Sequence, residues 1–215
     1  MNYMWSFFCL FLLSCSGYRF QSNKNPFAQY SIKTLSVPMF YNKSNLGNVS
    51  GAFTTKIFRT LTPYSGLTLI EGNGPADAVL IGVIESNEKR KDSILTETSR
   101  FVDGSFGNDF LEGKRNDFLV PSSLRVMANL RIMVIKHPTQ EEIEFLQTDT
   151  GAKALSSKVI FNEVIPLSAV VPLKRRSGES ISVIGSQNRG VYKVGIDRMA
   201  TQAALNFKNM ILYAF

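Results

Sequence analysis

The sequence predicts an α+β fold: a two-layer sandwich with two helices packed on one face of a mixed sheet of about four strands, carrying two long loop or hairpin insertions. Three observations lead there. Apolar residues recur every three or four positions in two windows, residues 46–61 and 196–211. They alternate over residues 124–135 and occupy both faces of the stretch 77–84, after Asp77. The resulting order, strand, helix, three strands, helix, suits helices gathered on one side of a sheet. A chain of 215 residues, 44% of them hydrophobic and 19% charged, makes one domain with a sizeable core and is neither disordered nor a coiled coil.

Residues 5–13 form an apolar run far short of the roughly 20 residues that span a bilayer. The run has the length of a signal-peptide core. It ends in Leu12-Leu13-Ser14-Cys15, which resembles a bacterial lipobox. A small Ser14 fits the lipoprotein signal peptidase, and the Cys15 thiol would take the diacylglycerol. The competing reading is a plain secretory signal with an incidental cysteine. The segment departs from the usual pattern in having no Lys or Arg before Cys15, and Leu13 is bulky for its place. Ser16, where an Asp would retain the protein at the inner membrane, makes the outer membrane the default destination. The expected division is therefore residues 1–14 as signal peptide, 15–29 as lipidated tether and 30–215 as a single domain. Cys9 leaves with the signal and Cys15 is acylated, so no disulfide is expected.

Each element has its own justification. Residues 30–40 read as extended, with Pro38 allowed at an edge or strand end. Leu46, Val49, Phe53, Ile57 and Leu61 lie on one helical stripe, with Ser44 or Asn45 as cap and Pro63 as the stop. Residues 67–70 suggest a short strand before the turn at Gly72-Asn73-Gly74-Pro75. Residues 77–84, apolar on both faces, read as a central strand. In residues 124–135 the row Leu124, Val126, Ala128, Leu130, Ile132, Val134 faces the core, and Arg125 and Arg131 lie on the opposite, outward face. Residues 143–147 read as a further strand after a turn at His137-Pro138. The final helix runs from about Gly190 or Asp197 to Tyr213 on the stripe Ile196, Met199, Ala200, Ala203, Phe207, Met210, Ile211. Residues 89–121 and 158–189, polar or proline-containing, are left as extended hairpins or mobile loops.

Little catalytic chemistry is in view. One His and two Cys do not make a zinc site or a Cys–His nucleophile, and His137 beside Pro138 suits an exposed turn. Gly72-Asn73-Gly74 lacks the rest of a dinucleotide loop, and there is no Gly-Lys-Ser/Thr. No cofactor or metal is expected. Lys+Arg exceed Asp+Glu by 24 − 17 = 7, which favours anionic partners. Lys89-Arg90-Lys91 and Lys174-Arg175-Arg176 are basic clusters, read as solvated loop charge or as a phosphate-binding patch. Export to the envelope argues against nucleic acid as the partner.

Cys15-Ser16-Gly17-Tyr18-Arg19-Phe20 resembles the start of the mature LPS-assembly lipoproteins, the LptE family. Residues 32–42, residues 76–82 and Ile196-Asp197-Arg198-Met199-Ala200 resemble that family in the same order. The two long segments, 89–121 and 158–189, depart from it. The resemblance implies the same two-layer fold and a function without catalysis. It implies a lipoprotein at the periplasmic face of the outer membrane, anchored through acylated (palmitate-bearing) Cys15. Such a protein plugs and helps assemble the LPS-assembly β-barrel and contacts lipopolysaccharide. Arg125 and Arg131, with Lys174, Arg175 and Arg176 as a second patch, are the expected contacts with LPS or barrel. A rival resemblance is to the α/β domains of curli-secretion and penicillin-binding-protein-activator lipoproteins, which implies a secretion pore or the activation of a peptidoglycan synthase.

Overall fold

In the computed structural model of this protein, residues 23–86, 94–101, 118–148, 157–173 and 181–214 are described. The elements are a 3-10 turn (Ala28–Tyr30), β1 (Thr34–Val37), β2 (Tyr41–Asn42), α1 (Ser50–Leu61), β3 (Thr68–Glu71), β4 (Ala78–Glu85), β5 (Ile94–Phe101), β6 (Phe118–Lys136), α2 (Gln140–Thr148), β7 (Val159–Pro172) and α3 (Ile181–Ala214). The α+β sandwich is as the sequence predicts, with seven strands in one mixed sheet rather than about four.

β1 lies between β3 and β4, parallel to both, and α1 makes the crossover from β1 to β3. β1 stops at Val37, one residue before Pro38, so the proline marks a strand end and not an edge strand. β4 pairs antiparallel with residues 129–136 of β6, β5 with residues 118–126, and β7 with residues 123–135. A strand has two edges, so β4 and β5 share one edge of β6 and β7 takes the other.

The main core lies on the helix side. Leu80, Ile84, Val126, Leu130, Ile132 and Val134 meet Phe53, Ile57 and Leu61 of α1 and Met199, Ala203, Phe207 and Ile211 of α3. Phe207 stands edge-on to Phe161 at 5.8 Å between ring centroids. A smaller core lies on the other face, where Ile143 and Leu146 of α2 cover Val79, Ile81, Val83, Met133 and Ile135. The unbroken apolar run of β4 is explained by this double covering.

Several expectations need correction. Residues 143–147 are not a strand but the middle of α2. Thr139 and Glu142 form a reciprocal cap, with Thr139 N donating to Glu142 Oε2 (2.7 Å) and Glu142 N to Thr139 Oγ1 (3.3 Å). The first helix starts at Ser50, not Leu46, because Asn48 takes a left-handed backbone (φ 57°). Val49 is the N-cap and no side chain caps it; Ser44 instead donates to Asn42 Oδ1 (2.6 Å). The last helix begins at Ile181, well before Gly190. Of the two readings left open for the long segments the extended one holds: β5 forms a hairpin-like pair with β6, and β7 pairs along thirteen residues of it, while residues 181–189 belong to the last helix.

The prolines of β7 do not break it, for a reason visible in the pairing. Leu173 N donates to Ser122 O (2.9 Å) at one end of the ladder, so by alternation residues 171, 169, 167 and 165 bond to β6. Pro166 and Pro172 fall on the even positions, whose N–H groups would point to the free edge, where proline costs no ladder bond. On the same edge, Arg198 Nη1 donates to Val170 O (3.1 Å), tying α3 to the strand.

Candidate functional site

The sheet face away from α1 and α3 is covered at only one end, by α2. Beyond Val83 and Met133, residues align across it in register. One row is Tyr41, Val83, Arg131, Val164; the next is Glu85, Asn129, Pro166; then come Met127 with Ser168 and Arg125 with Val170. Tyr41, Val164 and Val170 are exposed, while Met127, Asn129, Arg125 and Arg131 are half-buried. The face thus presents a central column rich in Arg, Met and Asn beside an apolar column on β7. Where β6 and β7 pair, a depression of about 290 Å³ is lined by residues of both faces, Met127 to Asn129 and Pro166 to Ser168, with Gln202 of α3 from the helix side.

Arg125 and Arg131 share this face, as the alternation predicts, six residues or about 20 Å apart along the strand. They do not simply project into solvent. Arg131 keeps 21% of its side-chain surface, lies 3.9 Å from Glu85 and has a buried Nε without a hydrogen-bond partner. Val83 and Val164 are its cross-strand neighbours. Cys15, the segment Gly17-Tyr18-Arg19-Phe20, Lys89-Arg90-Lys91 and Lys174, Arg175 and Arg176 lie outside the described residues.

Glu85 and the apolar β7 column were not singled out from the sequence. That column is made of the even positions Val164, Pro166 and Val170; the odd positions Phe161, Ile165, Leu167, Ala169 and Val171 are the buried face of a period-two alternation that Pro166 and Pro172 concealed.

Among the described residues, the carboxylates held below their usual range, Asp77 and Glu142, are structural. Asp77 sits below the usual carboxylate range because Lys33 N and Thr34 N donate to its Oδ2 at 2.8 and 2.9 Å. It pins the start of β1 to β4. Glu142 is lowered by Lys158, whose Nζ lies 2.7 Å from its Oε1, and by Thr139 N. His137 has φ 44° and donates its N–H to Asp77 O (3.0 Å), a turn residue as expected. Among the described residues no cluster of His, Cys, Asp and Glu could hold a metal, and no helix is long and apolar enough to cross a membrane.

No protein-family model matches the chain, and neither does any curated protein sequence. Solved structures to which the chain is similar include an uncharacterised lipoprotein B from Nitrosomonas europaea, 7% identical, covering 90% of this chain and 88% of that one at a TM-score of 0.40. The rare lipoprotein B from Shewanella oneidensis is 7% identical, with 84% and 97% covered and a TM-score of 0.35. The PelC dodecamer from Paraburkholderia phytofirmans is 12% identical, with 79% and 86% covered and a TM-score of 0.31.

Proposed function

We propose that this chain is a non-catalytic lipoprotein of the outer membrane, anchored on the periplasmic face through Cys15, that plugs and helps assemble the LPS-assembly β-barrel and contacts lipopolysaccharide there. The observation that carries the reading is the open sheet face with Arg125 and Arg131 on its central column. A guanidinium flanked by valines and only partly satisfied by Glu85 at 3.9 Å favours an anionic partner such as a lipid A phosphate or a lumen carboxylate. The sequence supports it through Leu12-Leu13-Ser14-Cys15 and the Gly17-Tyr18-Arg19-Phe20 that follows. Lys174, Arg175 and Arg176 are the second patch of the same reading.

Affinity purification of the acylated protein from its native envelope tests this directly. The expected result is a stable complex with a β-barrel and saturable LPS binding, weakened in the Arg125→Gln/Arg131→Gln variant and by added salt. A homo-oligomeric ring, or a peptidoglycan synthase as the sole partner, would replace this reading with the rival one. Glutamine is preferred to charge reversal, since a carboxylate at 131 would face Glu85.

A further inference from the structure

The chain enters the domain at one end, and it is fastened there. Ser65 N and Oγ donate to Asn23 O at 2.7 and 3.0 Å, and Asn25 N donates to Ser65 O at 3.0 Å. The Asn25 amide adds three bonds: Nδ2 to Ile32 O (2.6 Å) and Gly66 O (3.1 Å), and Oδ1 accepting from Phe27 N (2.9 Å). Phe27 is wholly buried in the main core. Residues 23–29, assigned from the sequence to the tether, are therefore part of the body.

That leaves only residues 16–22 between Cys15 and the first fastened residue. The eight links from Cys15 to Asn23 reach at most about 28 Å when fully extended, and about 15 Å as a flexible coil. β6 alone, with 19 residues, is about 60 Å long. The leash is shorter than the body it holds.

The elements at the fastened end are identifiable. β1, β3 and β4 all start there, held together by Thr68 N to Lys33 O (2.8 Å) and by the Asp77 carboxylate on Lys33 and Thr34, and α2 lies there with Glu141 and Glu144 exposed. β6 ends there, with Lys136 Nζ on Tyr30 O (3.0 Å), and α1 ends there at Leu61. The Phe207–Phe161 contact brings the last turns of α3 to the start of β7 at the same end. Tyr213 is 82% exposed and Tyr30 37%, with Lys24, Lys33 and Thr62 also exposed. Tyrosine and lysine are the side chains that suit a headgroup layer.

We propose that the domain stands base-first on the bilayer. The end built from Tyr30, Lys33, Thr62 and the last turns of α3 rests in the headgroup region of the membrane that holds the Cys15 acyl chains. This rests on the lipid anchor of the proposed function but not on its barrel or LPS partner. It leaves the open sheet face upright and accessible from the side.

The test uses the mature acylated protein in vesicles of phosphatidylethanolamine and phosphatidylglycerol. Thr62→Cys marks the base. Thr96→Cys marks the far end, since Thr96 pairs with Leu124, twelve residues or about 40 Å along β6 from Lys136. With Cys9 removed and Cys15 acylated, each introduced thiol is the sole site for a fluorophore. Quenching by headgroup-level spin-labelled lipid should be several-fold greater at 62 than at 96. Equal or reversed quenching in acylated, natively folded protein overturns the orientation and leaves the anchor standing. Mass spectrometry showing Cys15 unacylated in native membranes overturns the anchor and the orientation together.

Discussion

Gly82 is the position where one added methyl group should cost most. It lies mid-strand in β4, opposite Ile132, and its missing Cβ points into the main core. A Cβ built there falls inside van der Waals contact of Cγ, Cδ1 and Cδ2 of Phe40, a ring only 2% exposed and walled by the core. Glycine in a strand is intrinsically worse than alanine by about 0.5–1 kcal/mol, so the substitution would stabilise if space allowed. Overpacking a closed core instead costs about 1–3 kcal/mol. Clash should win, and Gly82→Ala should lower stability by about 0.5–2 kcal/mol in a urea melt. The sign should reverse when the ring is gone. Phe40→Ala alone should cost about 3–5 kcal/mol, and adding Gly82→Ala to it should then recover about 0.5–1 kcal/mol of that loss. The coupling in this double-mutant cycle is the measured quantity. A neutral or stabilising Gly82→Ala in the wild-type background would refute the close approach of Phe40 to β4.

Phe207→Ala, at a wholly buried ring packed on Phe161, should destabilise by about 3–5 kcal/mol in a denaturant melt; a loss below about 1 kcal/mol would mean that α3 is not seated on β7. Thr139→Ala should remove the cap of α2 at a cost of about 1 kcal/mol, seen as faster amide exchange at residues 140–148 with the main core unaffected. Asp77 and Glu142 are both lowered in the folded state, so the stability they contribute is present above the unfolded carboxylate range near pH 4 and is lost as pH falls through their folded values. Asp77→Asn should therefore flatten the acid limb of a pH–stability profile; an unchanged limb would remove Asp77 from the account. Mass spectrometry of the mature N-terminus should show a diacylglyceryl-modified Cys15, and cleavage elsewhere with a free thiol would end the lipoprotein reading.

Periodicity revealed those parts of the fold that bury one clean stripe. Phe53, Ile57 and Leu61 of α1, and Met199, Ala203 and Phe207 of α3, all sit in the core where their spacing puts them. Leu130, Ile132 and Val134 do the same for β6. The misreadings arise where a short-range device overrides the pattern. Residues 139–142, Thr-Gln-Glu-Glu, hold a capping box that turns an ambiguous apolar pair, Ile143 and Leu146, into a helix. Asn48 enters the left-handed region and cuts a turn from the start of α1 while leaving Leu46 and Val49 buried. Pro166 and Pro172 look like breakers until the ladder shows their N–H positions facing the free edge of β7. Arg131 was placed on the correct face, but its partner Glu85 depends on the β4–β6 register, which no local pattern carries.

The open face follows from a mismatch of lengths. α2 has nine residues and covers about 13 Å, against a strand of about 60 Å in β6. α2 is moored at the base by Glu142 on Lys158, at the start of β7, so it cannot slide along the sheet. Covering therefore ends within the row of Val83, and the rest of that row, with Arg131 beside Val83, must face water or a partner. A fully hydrated face has no need of an arginine in register between Val83 and Val164 with its Nε out of solvent; lysine or threonine would solvate as well. Half-buried arginine makes physical sense where an anion completes its hydrogen bonds, because its planar fork loses less entropy per bond than a lysine stem. Arg131→Lys is then the discriminating substitution. It keeps the charge while losing the fork, so a binding partner that engages the fork should release the variant faster at unchanged thermal stability. Equal release rates for the two proteins would assign Arg131 to the Glu85 pair alone.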